Sequence, residues 1–176
     1  MGKKVNWTIE AWGGNQRVRK KLNSDEQNKE HAEKKISASD LGLDLSSQQE
    51  QPYFQWFLAC LLFGKPIQQE VARRTYLEFV KEGILTPEAI LQAGWDRLVS
   101  LLDRGHYTRY DFSTATKLLD MARHVKEDTG TLLALVQACH SKDELSSRLQ
   151  ELKGVGPKTA EIFLRDLPPS LYAEQK

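Results

Sequence analysis

The tightest constraint in this chain is the reversal at Leu152-Lys153-Gly154-Val155-Gly156-Pro157-Lys158-Thr159-Ala160. Leu152 closes one apolar helical stripe and Pro157 suits the first turn of the next helix, so residues 153–156 must turn the chain. Two of those four residues are glycine. Glycine tolerates positive backbone torsions and, lacking Cβ, lets another group approach the main chain closely. The N–H groups of the turn and of the following helical turn then converge on one point, backed by the positive end of the helix dipole. A phosphate oxygen fits that point. Such a contact holds a sugar-phosphate backbone without reading bases. Lys153, Gly154, Val155, Gly156 and Thr159 are therefore expected to bind double-stranded DNA in a largely sequence-independent, salt-sensitive way.

The segments leading to this reversal are helical in pattern. Residues 53–63 are apolar almost without interruption, which predicts a helix buried on nearly every face. After Gly64-Lys65-Pro66, the apolar Ile67, Val71, Ala72, Tyr76, Phe79 and Val80 mark a second helix that breaks near Gly83. Thr86-Pro87 offers an N-cap and first-turn proline for a short helix closed by Gly94. Trp95, Leu98, Val99 and Leu102 form the next stripe, with Gly105 expected as a left-handed cap. Ala115, Leu118, Leu119, Ala122 and Val125 define another helix up to Gly130, and residues 132–139 a short apolar one. Ser141-Lys142-Asp143-Glu144 matches a capping box, and the helix it opens carries Leu145, Leu149 and Leu152 inward. The last helix buries Ala160, Phe163, Leu164 and Leu167 before Pro168-Pro169. About seven or eight helices with no strand alternation after Pro52 predict an all-α, compact multi-helix domain over residues 52–167.

A length of 176 residues with 40% apolar content supports one core. Residues 1–51 are too polar to contribute a core of their own and read as a basic N-terminal extension, and residues 168–176 as a C-terminal tail. The cluster Arg17-Val18-Arg19-Lys20-Lys21 contributes to nine Lys/Arg against five Asp/Glu over residues 1–36. It reads either as a solvated tail or as an auxiliary phosphate contact. Ser24 and Gln27 allow a polar helix there. Formal net charge is only +1, so overall charge points to no partner. Cys60 and Cys139 stand far apart in apolar surroundings, as reduced buried thiols do, and with no CxxC pair no metal or cofactor is expected. No stretch is long enough for a membrane span and the N-terminus is polar, so the expected setting is cytoplasmic or nucleoid-associated, as a monomer.

The GVGPKTA string, following a set of short helices, resembles the HhH-GPD superfamily of DNA glycosylases, in particular the endonuclease III type, over residues 52–167. Residues 53–62 look like that family's first core helix, and Arg73-Arg74-Thr75-Tyr76 falls in the next. The resemblance implies a helical barrel ending in the hairpin at 152–160 and base-excision repair of damaged or abasic DNA. It also implies that Lys158 is the Schiff-base nucleophile of enzymes that remove a base and then cleave the abasic strand. Local chemistry leaves two roles open for Lys158. A lysine near the positive end of a helix dipole is placed to lose its proton and attack a sugar C1′, and it is equally placed to clamp a phosphate.

The chain departs from the family in one catalytic feature. Relatives carry an Asp in a VDTH-like motif that stabilises charge on the sugar, and no such motif is present. Asp166 follows Lys158 on the same helix at a distance of about 12 Å along its axis. Asp103 and Asp111 reach the hairpin only through tertiary folding, and Asp111 is the candidate carboxylate. The four-Cys iron-sulfur region of many relatives has no counterpart in the sequence. In the loop after the first core helix, Lys65 or Gln68 fills the space of an extruded base, or Lys65 contacts phosphate. In the connection 103–111, Arg104 and Arg109 are candidates for phosphates and His106 and Tyr107 for stacking on bases. The alternative there is a polar loop with one ring packed on the core. Two functions remain open: a DNA glycosylase and AP lyase acting through Lys158, or a non-catalytic helix-hairpin-helix module that has lost glycosylase activity.

Overall fold

The computed structural model describes residues 34–172 and, by backbone alone, the strands β1 (Trp7–Trp12) and β2 (Asn15–Lys20). The chain divides into two units, Met1–Lys34 and Lys35–Lys176. In the first unit β1 and β2 pair antiparallel, with Trp12 opposite Asn15 and Trp7 opposite Lys20. The expected polar extension therefore contains a β-hairpin. Its sequence signal is Gly13-Gly14, a dipeptide of the kind that separates hairpin strands, between two segments that contain Trp7, Ile9, Trp12 and Val18. Arg17, Val18, Arg19 and Lys20 of the basic cluster belong to β2. Lys21 and the helix expected from Ser24 and Gln27 lie outside the described residues.

The second unit is all-α. Among the described residues it holds α1 (Glu50–Phe63), α2 (Gln69–Glu82), α3 (Pro87–Arg104), α4 (Asp111–His124), α5 (Leu132–Gln137), α6 (Lys142–Glu151) and α7 (Pro157–Arg165). A π-helical turn, Val125–Thr129, extends α4. The boundary between units falls ahead of residue 52 because the segment before α1 packs onto the helices. Ala38 and Leu45 are buried, Ala38 N–H donates to Asp166 Oδ2 at 2.6 Å, and Arg165 donates to Ile36 O at 2.8 Å. Two buried apolar side chains and a few main-chain bonds suffice for that docking, and composition averaged over residues 1–51 hides them.

Helix α1 is the centre of the core. Every residue from Tyr53 to Phe63 except Gln55 is buried, as the uninterrupted apolar run predicts. Phe57 meets Phe163 of α7 edge-on with ring centroids 5.1 Å apart, and Trp56 Nε1 donates to Phe163 O at 3.3 Å, near the C-terminus of α7. At the other end of α1, the Glu50 carboxylate accepts from Leu132 N–H (3.0 Å) and Leu133 N–H (2.7 Å) in the first turn of α5. A carboxylate there satisfies donors the helix leaves open and complements its dipole.

One expected helix end falls where the sequence places it, and two take a different form. The break anticipated at Gly94 is present: this glycine is non-helical (φ 74°, ψ 172°) and forms a kink between the two helical segments of α3. Gly105 is not a left-handed cap: its φ is −78°, and the positive φ belongs to His106 (65°). Glycine is required at 105 by proximity, because a Cβ would lie 2.6 Å from Thr75 Cα on α2. In the capping box, Ser141 Oγ accepts from Glu144 N–H (3.1 Å), while the Glu144 carboxylate reaches back to His140 N–H (2.8 Å), one residue before the cap. Gly105→Ala should therefore destabilise the fold by about 1–3 kcal/mol, the range of overpacking. The urea midpoint is the measurement, and an unchanged midpoint would show that α2 can yield.

Candidate functional site: the hairpin and the lysine-lined cavity behind it

Between α6 and α7 the chain reverses through a hydrogen-bonded turn. Val155 N–H donates to Leu152 O at 3.0 Å and Gly154 takes φ 89°, the geometry of a type II turn, whose third residue needs a positive φ. Gly154 is also pressed onto α4: a Cβ there would lie 3.0 Å from Lys117 O and 3.1 Å from Lys117 Cα. Lys153 N–H donates to His124 Nδ1 at 3.2 Å, and His124 Nε2 faces Asp128 Oδ2 at 2.9 Å. Leu152 and Val155 are buried.

This geometry divides the residues expected to face phosphate. Val155 and the main chain of Lys153 hold the turn in place: the valine side chain is in the core, and both N–H groups are already donated. Lys153 Nζ lies 3.6 Å from Asp120. Gly156, Lys158 and Thr159 have N–H groups that meet no acceptor among the described residues, the usual condition of a first helical turn. A Cβ on Gly156 would meet nothing within 4 Å, so this glycine leaves the main chain open on its outer side.

Behind the turn lies a cavity of about 210 Å³ between the C-terminal end of α1, helix α4 and the start of α7. Lys65, Lys117 and Lys158 line it together with Thr114 and Thr159, and none of its lining residues is acidic or aromatic. Gly64 allows α1 to end against α7, since a Cβ there would sit 2.5 Å from Thr159 Oγ1 and 3.5 Å from Thr159 N. Lys65 and Lys117 are half-buried, and neither has a carboxylate within ion-pair distance among the described residues. Contact with the Lys117 amine, with smaller contributions from partial burial and charge repulsion, holds Lys65 below the usual lysine range. Lys65 Nζ also sits 5.3 Å from the centre of the Tyr110 ring, and Arg109 stacks on the same ring at 5.5 Å.

Thr114 completes the cavity wall. Its Oγ1 is the one buried side-chain polar atom among the described residues without a hydrogen-bond partner. The neighbouring Tyr107 phenol has already donated its proton to Leu62 O at 2.6 Å. Burial pushes that phenol far up, offset in part by the adjacent Thr114 hydroxyl, which nevertheless lies outside hydrogen-bonding geometry. An orphaned buried hydroxyl costs about 1–3 kcal/mol.

The remaining candidates are dispersed. Tyr107 is fully buried and cannot stack on a base, because its ring belongs to the core and its hydroxyl to Leu62. Arg104 is held at 3.0 Å by Glu82 and at 3.9 Å by Glu78, both on α2. His106 and Arg109 are exposed. The large exposed ring in this region is Phe112, 60% exposed and packed 5.2 Å from Trp95. Lys158 Nζ, 58% exposed, pairs with Glu161 at 3.2 Å. Asp111 is engaged elsewhere: its Oδ1 accepts from Phe112 N–H at 2.7 Å, and Asp103, its pKa raised first by desolvation, is raised further by the Asp111 carboxylate. Asp166, an improbable partner for Lys158 by spacing, binds Ala38 N–H and Arg165.

Lys117 and Thr114 were not legible as site residues in the sequence. Both lie on α4 beside the apolar stripe of Ala115 and Leu118, and only docking of the hairpin against that face makes them part of a cavity. Among the described residues no group of three or more His, Cys, Asp or Glu side chains is placed to hold a metal ion. No described helix is long and apolar enough to cross a membrane. Comparison with protein-family models and with curated proteins found no match to this chain.

The coupling of the two half-buried lysines is directly measurable. Lys117→Met removes the main cause of the lowered Lys65 pKa, so the Lys65 ¹³Cε titration should move up toward ordinary lysine behaviour. An unchanged Lys65 midpoint in that variant would mean that the two amines do not touch in solution.

Proposed function

We propose that this protein is a helix-hairpin-helix DNA-binding module that grips the phosphate backbone of double-stranded DNA through the hairpin at 152–160 without catalysing base removal. The observation that carries this reading is the cation-lined, carboxylate-free cavity beside open N–H groups at the start of α7. Residues 35–176 as a whole carry 17 Lys/Arg against 19 Asp/Glu, so affinity for a polyanion must come from a local cluster. Lys65, Lys117 and Lys158 form one. Contacts of this kind fix position on the duplex and carry no base information. The exposed Phe112 offers an apolar ring to an unstacked or single-stranded base, the role first considered for His106 and Tyr107.

A glycosylase with AP lyase activity is the second reading, favoured by the presence of Lys158 on the cavity wall. Three features weigh against it. Imine formation needs a free amine, and Lys158 Nζ sits in an ion pair open to water. The carboxylate it meets is Glu161 on its own helix, one turn away. The cavity has no aromatic wall on which a flipped base could stack.

Two measurements test the grip and a third separates the readings. Gly156→Ala should leave thermal stability within about 0.5 kcal/mol, since φ of −100° suits any residue and the Cβ points into open space. It should weaken duplex binding about tenfold, equivalent to about 1.4 kcal/mol, by obstructing the approach of phosphate to the main chain. Lys158→Ala should lower the salt dependence of binding by about one phosphate contact, equally for unrelated sequences. Unaltered affinity in both variants would exclude the hairpin as the grip. Borohydride reduction on an abasic-site duplex should yield no covalent adduct; an adduct that disappears in Lys158→Ala would establish the lyase instead.

A further inference from the structure

We infer that the cavity behind the hairpin is a receptor for a phosphate monoester, and that it gives this protein a preference for phosphorylated strand ends over continuous duplex. The inference rests on the proposed phosphate grip and adds a ligand class to it. The hairpin's open N–H groups do not carry it alone. The independent observation is a pair of half-buried lysines, Lys65 and Lys117, on the walls of the same cavity with no carboxylate at ion-pair distance among the described residues.

Charge selects the ligand. Lys65 and Lys117 line one cavity, half-buried and without a carboxylate at ion-pair distance among the described residues, and Lys158, paired with Glu161, lines the same space. Two adjacent ammonium groups are best balanced by an ion carrying about two negative charges. A phosphate monoester supplies −1.5 to −2 at neutral pH, by analogy with phosphorylated side chains, with about three strong acceptor oxygens. An internal phosphodiester supplies only about one charge and two free oxygens. The donors fit that count: the two ammonium groups, the Thr159 hydroxyl, and the N–H groups at the start of α7.

Shape selects in the same direction. Lys65 and Lys117 are half-buried on the cavity wall, so a phosphate must pass below the surface to meet both. An internal phosphate is tethered to sugars on two sides and stays at the rim, in reach of Gly156 and Lys158. A terminal phosphate has a single tether and can enter. The preorganised walls make entry inexpensive: Gly64 sits against Thr159, and Gly154 against Lys117, with no space for a Cβ at either contact.

The test uses the full chain and four duplexes of one sequence: intact, nicked with a 5′-phosphate, nicked with a 3′-phosphate, and nicked with hydroxyls on both sides. Inorganic phosphate and a nucleoside monophosphate, followed by thermal shift, form the separate arm for free ligand. A phosphorylated nick should bind about tenfold tighter than the hydroxyl nick. That preference should fall by most of its magnitude in Lys117→Gln and in Lys65→Gln, each checked for folding by its circular dichroism melt. If no duplex binds but free phosphate raises the melting temperature of wild type and not of these variants, the cavity assignment stands with free phosphate as its source, and the DNA-binding reading fails. Equal affinity for phosphate and hydroxyl ends, with no effect of free phosphate, overturns the cavity assignment even where intact duplex binds. A phosphate preference unchanged in both variants overturns it too, because the ligand then sits elsewhere.

Discussion

Helix α1 is the element on which the rest of the second unit is assembled. Its residues from Tyr53 to Phe63 are buried apart from Gln55, so a helix with no polar face must be covered on every side. The partners it gathers are held by directional bonds as well as by packing. Glu50 caps α5, Tyr53 reaches Leu45 O, Trp56 reaches the end of α7, and the Leu62 carbonyl takes the Tyr107 hydroxyl. These bonds orient elements that hydrophobic burial alone would leave free to rotate, because burial is not directional.

The candidate site is a by-product of how that assembly ends. Helix α1 stops at Gly64, whose missing Cβ lets it abut Thr159, and the hairpin glycine Gly154 lies on the backbone of Lys117. Two close backbone approaches thus enclose a space whose walls are set by packing and whose surface is set by which polar side chains fall there. Elsewhere in this unit cations tend to be neutralised, as Arg97 and Arg104 are by Glu82, whose pKa they lower. In the cavity Lys65 and Lys117 face each other instead. An acidic partner at either position would have made an ordinary ion pair; its absence among the described residues turns a packing gap into a place for an anion.

Much of the helical architecture was legible because it rests on local rules. The apolar period gave the helices, Thr86 and Ser141 cap as their residue type dictates, and Gly154 has the positive φ that its place in a tight reversal requires. The misreadings came where contacts distant in sequence decide. Gly105 looked like a conformational glycine and is a proximity glycine, because α2 lies against it. Tyr107 looked like a ring for bases and is a core residue, because Leu62 O supplies an acceptor inside the fold. The hairpin of β1 and β2 carried its own local signal in Gly13-Gly14, obscured by the polar composition around it.

The sequence by itself determined a set of helices, a central one among them, and a four-residue reversal that exposes main-chain donors at the start of α7. Those follow from periodicity, capping and the torsional demands of glycine, which act over a few residues. Only the tertiary structure decided which of those donors stay open, that Lys158 meets Glu161 and not Asp111, and that Lys117 and Thr114 stand behind the turn. These depend on the docking of α1, α4 and α7, governed by shape and burial between residues that can be a hundred positions apart, for which no local pattern is a proxy.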